Sequence, residues 1–68
     1  MITILKTNVK RANHARRLID YLLQRLPGSK INLDLKDCDK VLRVETEQAD
    51  PEKIVNLVKQ TGFSCAPL

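Results

Sequence analysis

The chain has 68 residues, 43% apolar and 29% charged, with a formal net charge of +4. That is one small globular domain over 1–68, with little chain left for insertions or lids. One His, two Cys and two aromatics (Tyr21, Phe63) leave little material for an enzyme site, and no enzymatic activity is expected. No apolar run approaches the roughly 20 residues of a membrane helix. The opening Met1-Ile-Thr-Ile-Leu-Lys6 is too short and wrongly flanked for a signal peptide. A cytoplasmic protein without membrane insertion is expected.

Residues 2–7 are rich in β-branched side chains and alternate, which predicts a strand. Its inward face is left open, because Ile2 and Ile4 share one side and Leu5 takes the other. Residues 8–13 form a polar connection. Ala15, Leu18, Ile19, Leu22, Leu23 and Leu26 then repeat with helical period, with Asn13 expected as N-cap and Pro27-Gly28 as the stop. Ile31, Leu33 and Leu35 alternate with polar residues, predicting a second strand. Asp37-Cys38-Asp39-Lys40 is turn chemistry, and residues 41–46 return as a third strand with Leu42 and Val44 inward. Asp50-Pro51-Glu52 is an N-cap, a proline at the first helical position and a first-turn acid. Ile54, Val55, Leu57 and Val58 fill that helix and Gly62 ends it. Residues 63–68 are expected as a last strand, at an edge because Pro67 lacks an N–H.

The order βαββαβ predicts an α+β two-layer, ferredoxin-like sandwich with both helices on one face. Right-handed crossovers make strands 1 and 2 parallel with strand 3 between them, for an antiparallel sheet of order 4-1-3-2. Three connections then meet at one end: residues 8–13, the hairpin turn 36–40 and the approach to strand 4.

Charge collects at that end. Residues 1–30 carry seven basic groups against Asp20 alone, whereas residues 31–68 carry five basic and seven acidic groups. Lys10, Arg11, Arg16 and Arg17 surround the start of the first helix, where cations oppose the helix dipole. The block is either a solvated face or a site for an anion or an acidic protein partner. Cys38 and Cys65 fall on opposite sheet edges, roughly 14 Å apart over three strand spacings, too far for a disulfide. Cys38 is expected as an exposed thiol and Cys65 as a half-buried one. Only Cys65 and His14 are placed to approach each other, and two ligands fall short of a closed metal site.

Lys6-Thr7-Asn8-Val9, Leu26-Pro27-Gly28, Asp39-Lys40-Val41-Leu42-Arg43-Val44 and Pro51-Glu52-x-Ile54-x-x-x-Val58-x-x-x-Gly62-Phe63 follow one another in a familiar order. In this the chain resembles, over residues 2–66, the heavy-metal-associated (HMA) domain of small copper chaperones and metal-transporting P-type ATPases. The resemblance implies the same fold and an M-x-C-x-x-C metal loop after the first strand. Here Val9 stands at the methionine, Arg11 at the first cysteine and His14 at the second, so the loop is degenerate and reads Arg11-Ala12-Asn13-His14. A guanidinium in place of a thiolate removes a soft ligand and adds repulsion, so no metal cofactor is expected. Phe63 matches the position that packs against the loop, with Val9 beside it. The first reading is an HMA-like domain that has lost its metal loop and serves as a binding or regulatory module, a monomer or weak dimer, docking through its basic loop. An alternative is a noncanonical metal-binding or metal-delivery protein that holds Cu or Zn weakly through His14 with Cys65 or Cys38. A third reading, nucleic-acid binding, lacks the stacking aromatics that RRM strands carry.

Overall fold

Alternation along residues 2–7 and the 3.6-residue period after residue 12 fold as a strand running straight into a helix. The computed structural model describes residues 2–36 and 38–68. Its elements are β1 (Ile2–Thr7), α1 (Ala12–Arg25), β2 (Lys30–Asp34), β3 (Val41–Glu45), α2 (Pro51–Gln60) and β4 (Cys65–Pro67). The four strands form one antiparallel sheet of order β2-β3-β1-β4, the expected order seen from the other edge.

Register settles the face of β1 that its composition left open. Thr3 pairs with Val44 and Leu5 with Leu42, so Thr3 and Leu5 point into the core. Ile2 and Ile4 stand on the outer face, 56% and 39% exposed. Leu5, Leu42 and Val44 meet Ala15, Leu18 and Leu22 of α1 and Ile54, Leu57 and Val58 of α2 in one cluster. Both helices therefore cover the same face of the sheet, and they touch each other.

The start of α1 differs from expectation. Arg11, not Asn13, is the N-cap, and it makes no side-chain capping bond. Val9 is fully buried just before it, so the chain must turn into the helix two residues early to seat that side chain. The Ala15 N–H then bonds the Arg11 carbonyl at 2.9 Å. Burial of Val9 outweighs the preference for asparagine at the cap.

The other boundaries follow local chemistry. α1 ends before Gly28, whose φ of +81° favours a residue without a Cβ. α2 begins at Asp50, whose carboxylate accepts the Lys53 N–H at 2.9 Å with Pro51 in the first turn. Asp50→Ala is expected to lower stability by about 1 kcal/mol, read from the urea midpoint; an unmoved midpoint would mean the cap contributes nothing. β2 starts one residue early, at Lys30, and β4 is shorter than 63–68. Ser64 stays outside β4 because its N–H bonds the Asn8 side-chain oxygen rather than a backbone carbonyl of β1. Asp37 of the expected turn lies outside the described residues.

Candidate functional site

Thr7 and Asn8, at the end of β1, tie three connections together. The Thr7 N–H donates to the Asp39 carbonyl at 3.1 Å, and the Thr7 hydroxyl donates to the Lys40 carbonyl at 2.7 Å. The same hydroxyl oxygen accepts the Val9 N–H at 3.3 Å. The Asn8 N–H donates to the Ser64 carbonyl at 3.3 Å, and its side-chain oxygen accepts the Ser64 N–H at 3.0 Å. The hairpin is closed by Lys40, at φ +48°, whose Nζ donates to the Leu35 carbonyl at 2.7 Å. The loop after β1 is thus braced to the hairpin on one side and to the approach to β4 on the other. Sequence reading missed Thr7 and Asn8 as braces. Their short polar side chains at a strand end were the available signal.

On this braced end Lys10, Arg11, Arg16 and Arg17 are all exposed. The first turn of α1 has no acidic residue, and the cap residue offers it no side-chain acceptor. Partial positive charge of the helix start and full charge of the side chains therefore add rather than cancel. Arg11 stands at the cap, whereas Arg16 and Arg17 lie more than a turn further along, so the four cations spread over a surface. The hollows of about 410 Å³ and about 610 Å³ lie elsewhere. The first is at the far end, around Gly28–Lys30 and Glu45–Gln48, and the second is on the outer sheet face. A spread, positively charged end suits an extended acidic surface better than one small ion.

His14 and Phe63 do come together, with ring centroids 5.6 Å apart at 48°. Val9 is fully buried in the core cluster against which Phe63 packs. The half-buried thiol of Cys65 donates to the Val55 carbonyl of α2 at 3.9 Å. Burial pushes that thiol's pKa up, opposed in part by the nearby Lys59 charge. A neutral, hydrogen-bonded thiol is a poor metal ligand. Cys38 is exposed on the hairpin turn, and both cysteines are free. Among the described residues no three His, Cys, Asp or Glu side chains gather in a group that could hold a metal ion. Among them, too, no helix is long and apolar enough to cross a membrane.

Together these features define a class of protein: a small α+β domain with one helical layer on a four-stranded antiparallel sheet, and a braced cationic end. No family model matches the chain, and no curated protein matches it.

Proposed function

We propose that this chain is a ferredoxin-like, HMA-like domain that works as a protein-interaction or regulatory module without the family's usual metal site. It docks onto an acidic protein surface in the cytoplasm through Lys10, Arg11, Arg16 and Arg17, and it performs no catalysis. One observation carries the reading: Lys10 and Arg11 flank a helix start that has neither a first-turn acid nor a side-chain cap, on a loop braced from both sides, and Arg16 and Arg17 follow in the next turn. Helix stability alone favours acids at such a position, so Lys10 and Arg11 there run against the local preference, and Arg16 and Arg17 extend the charge along the next turn. Bracing by Thr7 and Asn8 fixes the backbone that leads to Lys10 and Arg11, which lowers the ordering penalty of docking.

An acidic peptide titrated into the ¹⁵N-labelled protein is expected to shift amides of residues 9–17. Raising salt to about 0.5 M should reverse the shifts. Lys10→Glu/Arg11→Glu should weaken the interaction roughly tenfold or more, about 1.4 kcal/mol. Shifts spread evenly over the surface, or a double variant that binds as the wild type does, would reduce the charge block to a solvated face.

A further inference from the structure

The two edges of the sheet are unequal. β4 is three residues long and contains Pro67, which blunts an edge. β2 is five residues long, Lys30-Ile-Asn-Leu-Asp34, without proline, and its outer side is unpaired within the sheet. Its exposure alternates: Lys30, Asn32 and Asp34 face solvent, whereas Ile31 and Leu33 are half-buried against the core. Charges on inward positions are one device that protects an edge against pairing. This edge carries Ile and Leu there.

α1, which packs over β2, extends the apolar strip. The Tyr21 hydroxyl donates to Gln60 of α2 at 2.9 Å, and His14 packs on Phe63, so that flank of α1 faces α2 and β4. At 100° per residue, Ile19 and Leu23 lie about 160° round the helix from Tyr21, one turn apart, on the β2 side. Ile19 is half-buried and Leu23 is 37% exposed. Ile19, Leu23, Ile31 and Leu33 thus form a partly covered apolar strip beside an unpaired strand.

We propose that β2 pairs with β2 of a second copy of this chain, antiparallel about a two-fold axis at Asn32, to give a continuous eight-stranded sheet. The occupant follows from the strand's own charge order. In that register Lys30 stands opposite the other copy's Asp34, and Asp34 opposite its Lys30. Ile31 meets Leu33 on the inner face, where Leu23 of each α1 borders the seam. Opposite charges and apolar side chains facing directly across strands are the favourable cross-strand pairs. Only antiparallel pairing in this register makes both sets at once. One Asp34 oxygen is taken by the Lys36 N–H at 3.0 Å, and the carboxylate keeps its other oxygen for the lysine. Such an interface is smaller than the ~800 Å² per partner of a standard one, so association at about 100 μM is expected. This surface runs along the side of the domain and does not depend on the docking role of the basic end.

Sedimentation equilibrium between about 10 μM and about 1 mM should show the mass of the full chain rising towards a dimer. Over the same range NMR shifts should concentrate at residues 19–23 and 30–34. Lys30→Glu makes both ends of β2 acidic and Asp34→Lys makes both basic, so each variant alone should stay monomeric. Mixed in equal amounts they should associate, since each then meets its complement. Circular dichroism of each variant alone reports whether it is folded. Leu23→Lys, at an exposed position, should weaken dimerisation about tenfold with both strand charges intact. A wild type still monomeric at about 1 mM overturns the proposal. So does a dimer whose shifts fall at residues 9–17 or on Ile2, Ile4 and Leu68, or a folded pair of variants that associate no better mixed than apart.

Discussion

Leu22→Ala is expected to lower the unfolding free energy by about 3 kcal/mol. Leu22 is fully buried near the middle of the α1 stripe, in the cluster with Leu5, Leu42 and Ile54. Truncating it removes transfer free energy and leaves a cavity that neighbours on two helices and a sheet cannot all move to fill. A domain of this size holds about 3–10 kcal/mol in total, so the variant would lose a large share of its stability. Leu23→Ala, one residue on, is the matched comparison. Its side chain lies on the flank of α1, and its loss should cost about 1 kcal/mol or less. Urea titrations of the two variants check the orientation of α1 directly. Equal losses would contradict the placement of Leu22 inward and Leu23 at the side.

Arg11→Cys/His14→Cys is expected to turn the loop into a soft-metal site. The two residues are the N-cap and the third helical position, which share one side of the helix start. Two thiolates there would be favoured by the positive end of the dipole and would no longer face the Arg11 guanidinium. Both would be soft, anionic ligands, which Cu(I) prefers over a single imidazole. Affinity for Cu(I) should rise on the order of 10³-fold, about 4 kcal/mol, in competition with a chelator followed by native mass spectrometry. Removing the His14 ring also strips Phe63 of its aromatic neighbour, so a modest loss of stability should accompany the gain. Wild type binding Cu(I) or Zn(II) as tightly as the variant would defeat the proposal of a domain without the usual metal site. Loss of that binding in Cys65→Ser would then favour a site built from His14 and Cys65.

Part of the site is legible in the amino-acid sequence. The four cations are contiguous enough to stand out in the chain, and topology alone brings their loop to the end shared with the hairpin and the approach to β4. The bracing is not legible there. Thr7 reaches Lys40 and Asn8 reaches Ser64 across 33 and 56 residues, and nothing local to Thr7-Asn8 names those partners. Cys65 shows the same limit. Strand order puts it at the same end as His14, yet the thiol bonds Val55 of α2 and the imidazole packs on Phe63.

Features that rest on neighbours a few residues apart are written in the chain itself. The 3.6-residue stripe of α1, the Asp50-Pro51 start of α2, the stops at Gly28 and Gly62 and the alternation of β2 and β3 are all of this kind. With the handedness of crossovers added, they also settle the strand order. Three features depend instead on the folded molecule: which face of β1 is dry, where α1 begins and which flank of α1 borders the open edge of β2. Each of these is a competition that local preference does not decide. The choice is made by packing against residues distant in the chain: Leu42 and Val44 for β1, the core that takes up Val9 for the start of α1, and Gln60 and Phe63 for the helix flank.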